Sequence, residues 1–110
     1  MVKISILYPN RDGSRFDMNY YVKTHMPMAI EKLSVGNGYR GVSVERGVSG
    51  ALPGSAPAFA AMCHFHFDSA EDFMAAFVPH ASALMGDIPN YTGVEPLIQV
   101  NEVAIEQFQA

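Results

Sequence analysis

Residues 2–9, VKISILYP, alternate between two faces: Val2, Ile4, Ile6 and Tyr8 on one side, Lys3, Ser5 and Leu7 on the other. A period of two marks a strand, and Pro9 with the turn-prone NRDGS closes it. The period then changes. Met18, Tyr21, Val22, His25, Ala29 and Leu33 recur at three- and four-residue spacing and predict one helical stripe. Asp17 is placed to cap the free amides of the first turn, and Phe16 to staple against Tyr21. Pro27 lacks an amide hydrogen and disfavours helical geometry at Met26, so a kink or restart is expected there. GNG at 36–38 ends the helix.

Alternation returns in YRGVSVERGV, where Val42, Val44 and Val48 oppose Ser43 and Glu45. SGALPGSAP follows, a Gly/Pro/Ser loop long for a hairpin. In AFAAMCHFHF a strand places Phe59, Cys63, Phe65 and Phe67 on one face and Met62, His64 and His66 on the other. DSAEDFMAAFV predicts a second helix, capped by Asp68 or Ser69, with Phe73, Ala76 and Phe77 inward and an interruption at Pro79. HASALMG adds a turn or two, and after DIPNYTG the segment PLIQVNEVAI reads as a last strand. This βαββαβ order specifies an α+β, ferredoxin-like protomer with an antiparallel sheet. Two helices cover one face of such a sheet, yet the strands carry apolar residues on both. The uncovered face predicts a partner, most simply a second copy packed sheet to sheet in a homodimer.

Composition sharpens this picture. Residues 1–110 form a single domain, too short for a second core. A chain of this size buries about two-thirds of its unfolded surface. With 49% hydrophobic and only 16% charged residues, it has apolar surface left to hide, which again favours self-association. The net charge is −4 and the seven Lys and Arg are scattered singly, which excludes an electrostatic footprint for nucleic acid or anionic lipid. Cys63 is the single cysteine, so no intrachain disulfide is expected. No apolar run approaches the about 20 residues of a membrane span, and no leader pattern opens the chain. The expected setting is cytoplasmic, with neither nucleic acid nor membrane as partner.

Several segments resemble the EthD family, named for ethyl tert-butyl ether degradation, within the dimeric α/β-barrel superfamily. They are the LYP that ends the first strand, FDMNYYVKTHMPMA, DFMAAF and DIPNYTGVEPLIQVNEV, in that order across nearly the whole chain. The Tyr-Tyr…His-Met-Pro block is the most specific. The resemblance implies a protomer whose sheet packs on its twin, with a reaction pocket between sheet and helices. Relatives in the superfamily include cofactor-free isomerases of muconolactone type, polyketide cyclases, quinone-forming monooxygenases and haem-degrading enzymes. EthD proteins accompany cytochrome P450 ether-degradation clusters. Fold alone does not choose among these activities.

Four side chains carry the candidate chemistry. His25 lies on or beside the inward stripe, four residues after Tyr21. An imidazole there can act as general acid/base near neutral pH, or it can bond a carbonyl freed by Pro27. The resemblance supports the first role, because an isomerase relative uses a histidine in the same helix. Tyr21 could orient a substrate hydroxyl or carbonyl, or simply sit at the core edge; Tyr20 points about 100° away. His64 and His66 share a strand face and are candidates for acid/base help, or for a polar row at a dimer seam. No carboxylate matches their spacing and Cys63 faces the other way, so no metal site is expected. Met18, Met26, Met28, Met62, Met74 and Met85 suit an adaptable apolar pocket or a plain core. DIPNY reads as a turn that re-aims the last strand rather than as a lid.

The expected activity is proton transfer, isomerisation or monooxygenase-like oxidation of a small apolar aromatic or lactone-like compound, without a tightly bound cofactor. The alternative is a non-catalytic accessory protein that holds a hydrophobic metabolite or serves a cytochrome P450 system. Haem binding is a third reading, for which no clear axial ligand stands out.

Overall fold

In the computed structural model, which describes residues 1–109, four strands form one sheet. They are β1 (Val2–Pro9), β2 (Tyr39–Arg46), β3 (Phe59–Phe67) and β4 (Leu97–Glu102), in the order β2-β3-β1-β4 with every neighbouring pair antiparallel. The helices lie between β1 and β2 and between β3 and β4, which is the ferredoxin-like arrangement. Ile4 stands opposite Phe65 and Ile6 opposite Cys63, so the inward phase continues across the strands. Ile4, Tyr8, Ala61, Cys63, Phe65 and Phe67 are all buried on this face. Val48 lies beyond β2, in the exposed connection to β3.

Helix α1 covers residues 18–33, and its start is the predicted one. The Asp17 carboxylate accepts from the Tyr20 amide at 3.0 Å, and the Phe16 ring meets Tyr21 edge-on at 5.1 Å. The interruption near Pro27 takes a specific form. Tyr21–His25 is a π turn, in which the Met26 amide donates to the Tyr21 carbonyl five residues back. Pro27 then opens the following α-helical turns without needing a donor of its own. The wider turn resets the helical phase. Val22, expected on the inward stripe, is 47% exposed, while Met26 is buried. Tyr21, His25, Met26, Ala29 and Leu33 form the actual inward row.

Helix α2 (Ala70–Phe77) is capped by Ser69, whose hydroxyl accepts from the Asp72 amide at 3.1 Å. Phe73 packs edge-on to Phe67 at 5.5 Å and stacks with Phe77 at 5.4 Å. Pro79 lies in a single 3-10 turn, Val78–His80, before α3 (Ala81–Gly86) and a second 3-10 turn, Ile88–Asn90. This region packs on the sheet through α2 against β3 and leaves β4 thinly covered. Ile98 and Val100, register partners of Ile6 and Ile4 on the helix face, stay half exposed. Among the described residues no helix is long and apolar enough to cross a membrane.

Gly38 joins α1 to β2 with φ +78°, and a β-carbon there would collide with the Asp72 carboxylate. A left-handed backbone costs a non-glycine residue about 1–2 kcal/mol before any clash. Gly38→Ala should therefore lower the melting temperature by several degrees. Gly86→Ala, in open space at the end of α3, should leave it unchanged or slightly raised. Thermal denaturation of both variants checks this.

Candidate active site

The π turn places His25 under the sheet, 7% exposed, with the Tyr21 ring stacked on it at 5.6 Å and 14° between planes. Its Nδ1 lies 2.9 Å from Oδ2 of Asp87, which follows the end of α3. The other carboxylate oxygen is held twice: the Tyr20 hydroxyl donates to Oδ1 at 2.7 Å and the Asn90 amide at 2.9 Å. Partial burial pushes the Asp87 pKa up, but the Asn90, Tyr20 and His25 hydrogen bonds outweigh it and hold the carboxyl below its ordinary range. Asp87 is thus ionised at neutral pH and accepts the Nδ1 proton. That leaves Nε2 of the neutral ring as an acceptor.

Nε2 faces the Tyr91 hydroxyl at 3.4 Å, and this hydroxyl lies 2.6 Å from that of Tyr8 at the end of β1. Burial raises the pKa of Tyr8 to about 12 and lifts those of Tyr91 and Tyr21 well above the ordinary phenol value. All three are therefore neutral phenols. The segment carrying Asp87 and Tyr91 is tied to the entry of α1. The Asp17 amide donates to the Tyr91 carbonyl at 2.8 Å, the Thr92 hydroxyl to the Arg15 carbonyl at 2.6 Å, and Arg15 to the Pro89 carbonyl at 2.9 Å.

Beside this cluster a cavity of about 200 Å³ opens between α1, the α2–α3 region and β4. Its walls are apolar, among them Ile6, Phe65, Leu84, Ile88 and Ile98, and its polar edge is Tyr8, Tyr21 and His25. Met26, Met74 and Met85 line it; Met18 and Met28 pack against the core instead, and Met62 is on the opposite sheet face.

Tyr21 and His25 thus meet at one site, as the sequence predicts. His25 bonds a carboxylate and a phenol, not a carbonyl freed by Pro27. Tyr20, set aside on angular grounds, reaches the cluster from outside through Asp87. His64 and His66 are corrected as assistants of His25: they project from β3 to the opposite face, where His66 stands across from Lys3. There the His64 Nδ1 lies 2.7 Å from the Ser5 hydroxyl and its Nε2 3.2 Å from Glu45. Burial pushes the Cys63 thiol up to about 12, so it is an inert core group. Among the described residues no three His, Cys, Asp or Glu side chains gather as metal ligands. Tyr8, Asp87 and Tyr91 were not foreseen. The signal for two of them lay in DIPNY, whose acid and phenol flank the turn-forming Pro89 and Asn90.

The EthD domain model matches residues 14–95, which carry His25, Asp87 and Tyr91. The chain belongs to the EthD family. An EthD-like protein from Ralstonia eutropha JMP134 is 43% identical over 96% of this chain and 94% of its own, with a TM-score of 0.88. An ethyl tert-butyl ether degradation (EthD) family protein from Bacillus halodurans C-125 is 24% identical over 93% and 97% of the two chains, with a TM-score of 0.68. A Shewanella loihica PV-4 protein named as a candidate monooxygenase shares the fold at 11% identity, TM-score 0.64, over 96% and 95%. No curated protein matches the chain.

The lowered Asp87 pKa has a signed consequence. Its stabilising contribution is complete above the unfolded carboxyl value of about 3.9 and is lost as pH falls through the lower folded value. The stability gap between the native chain and Asp87→Asn should be constant near neutrality and narrow below about pH 4. Denaturant melts across pH 3–7 measure it. A gap equally wide at both ends would assign the loss to packing rather than charge.

Proposed function

We propose that this EthD-family chain is an enzyme acting on a compact, largely apolar ring compound, with His25 as general acid/base and Asp87 as its orienting carboxylate. The observation that carries this reading is the carboxylate-imidazole-phenol line at the one polar edge of an otherwise apolar cavity. An imidazole with its Nδ1 proton fixed by Asp87 offers Nε2 as base, and the carboxylate stabilises the imidazolium that forms. The substrate anion then isomerises by recovering the proton at another atom, or gives electrons to dioxygen in a monooxygenase-like oxidation. Size supports a single ring: a cavity of about 150 Å³ holds benzene, and this one is somewhat larger.

A panel of γ-lactones and cyclic enolisable ketones in deuterated buffer tests the acid/base role, read as deuterium uptake by NMR together with oxygen consumption. His25→Asn should cut turnover by about 10²–10⁴-fold while binding persists. Equal turnover in the variant would end this reading. The accessory alternative, a holder of a hydrophobic metabolite for a cytochrome P450 system, draws on the near-absence of polar wall; it expects ligand recovered chemically unaltered.

We further propose that the working unit is a homodimer joined through the open sheet face. Ser5, His64, Glu45 and Asn101 on that face already bond one another, so covering them leaves each of these four with a partner. Leu7, Met62 and Leu97 lie side by side there as apolar contacts. Leu7→Arg should halve the mass measured by light scattering and leave circular dichroism intact. A native chain that runs as a monomer would refute the dimer.

A further inference from the structure

Both ring nitrogens of His25 are engaged. Nδ1 meets Asp87 at 2.9 Å and Nε2 meets the Tyr91 hydroxyl at 3.4 Å. Tyr21 stacks on the imidazole, so neither nitrogen of His25 is free to meet a ligand directly. Tyr91 is fully buried and is not among the residues that line the cavity. Tyr8 does border the cavity, and its hydroxyl lies only 2.6 Å from that of Tyr91. The line Asp87–His25–Tyr91–Tyr8 therefore leads from a fixed anion to the cavity wall.

We propose that Tyr8 and Tyr91 relay the proton between ligand and His25, and that the ligand is a single-ring phenol or enol whose hydroxyl sits on the Tyr8 oxygen. The inference rests on His25 acting as acid/base. Its chemical class follows from donor counting. Ionised Asp87 takes the Nδ1 proton, Nε2 takes the Tyr91 proton, and the Tyr91 oxygen takes the Tyr8 proton. The Tyr8 oxygen, which the Tyr21 hydroxyl also approaches, keeps a lone pair toward the cavity, and that lone pair calls for a donor. A phenol or enol O–H supplies one on an otherwise apolar body, matching the apolar walls. A carboxylate ligand would find no Lys or Arg among the lining residues.

The transfer balances. The ligand O–H bond breaks as its proton joins the Tyr8 oxygen; the Tyr8 proton passes to Tyr91 and the Tyr91 proton to Nε2. The ligand becomes an oxyanion, His25 an imidazolium beside Asp87, and both tyrosines end neutral. Their elevated pKa values keep either phenol from resting as an anion, so the three protons move together. The 3.4 Å contact shortens as the imidazolium forms, because a charged donor makes the stronger bond.

4-Nitrophenol is the probe, since its absorption separates phenol from phenolate. In the native chain, binding should raise the phenolate fraction at a pH where the free probe is mostly protonated. Tyr8→Phe and Tyr91→Phe keep the rings and should each abolish that rise, and the double variant should lose no more than either alone. Removing the Tyr8 hydroxyl should weaken binding by only about two- to tenfold. 4-Nitroanisole, which lacks the hydroxyl, should bind the native chain more weakly than 4-nitrophenol.

Ionisation that survives both Phe variants but vanishes in His25→Asn would overturn the relay and leave the acid/base reading standing. Ionisation surviving all three would overturn both. Failure of the native chain to bind or ionise the probe, or equal binding of 4-nitroanisole, would overturn the ligand class, while the lactone and ketone panel still judges His25 separately. Nitrogen NMR of the native chain needs no variant: neutral His25 must carry its proton on Nδ1. The opposite tautomer would defeat the relay, because Nε2 could not then accept.

Discussion

The hydrogen bond between His25 and Asp87 joins two parts of the chain 62 residues apart, and the polar chemistry under the sheet depends on it. Without the carboxylate the imidazole would be a nearly buried polar ring with no fixed tautomer. With it, Nδ1 is committed as donor; in the neutral ring Nε2 is then the acceptor, and an orientation of the Tyr91 and Tyr8 hydroxyls follows in turn. Tyr20 and Asn90 hold the far oxygen of the same carboxylate, so Asp87 has little freedom to turn away. A single carboxyl group thereby settles the protonation pattern of four neighbours.

Backbone geometry brings the pair into reach. The π turn of α1 advances the helix by one extra residue just before Pro27, where an ordinary turn would lose a hydrogen bond in any case. Its effect is to put Tyr21 and His25 on one line with their rings stacked, and to push Val22 out to solvent. The cavity has a different origin. The α2–α3 region is broken by Pro79 into short pieces that cannot spread over β4, so Ile98 and Val100 remain open beside the cluster. An apolar void forgoes dispersion contacts that a filled core would make, contacts that an apolar ligand would restore.

Much of the fold was legible in the sequence because periodicity is local. Alternation in VKISILYP and AFAAMCHFHF assigned both central strands and their inward faces, and the Asp17 and Ser69 caps fell where short-range hydrogen bonding demands. The limits were equally physical. Periodicity cannot register an inserted π residue, so Val22 was placed a face too far inward. It also cannot say which remote residue an inward histidine meets. Spacing gave His25 and Tyr21 together, but Asp87 and Tyr91 lie beyond β2 and β3, inside a turn whose Pro and Asn dominate its local reading. Tyr8 looked like one more inward strand residue, and only the tertiary structure shows its hydroxyl against another phenol.

His25 and His64 show why residue type does not decide role. Each pairs with a carboxylate and a hydroxyl: His25 with Asp87 and Tyr91, His64 with Glu45 and Ser5. The Asp87 side chain is 14% exposed, whereas Glu45 is 47% exposed and its attraction is screened by water. The His64 set also lies on the open face of the sheet, on the far side from the apolar cavity. The same constellation placed against the helices borders an apolar cavity, whose low-dielectric walls strengthen each electrostatic contact. Strand alternation keeps His64 off the helix side, since one step along β3 changes which side of the sheet a side chain serves, while the π turn puts His25 there.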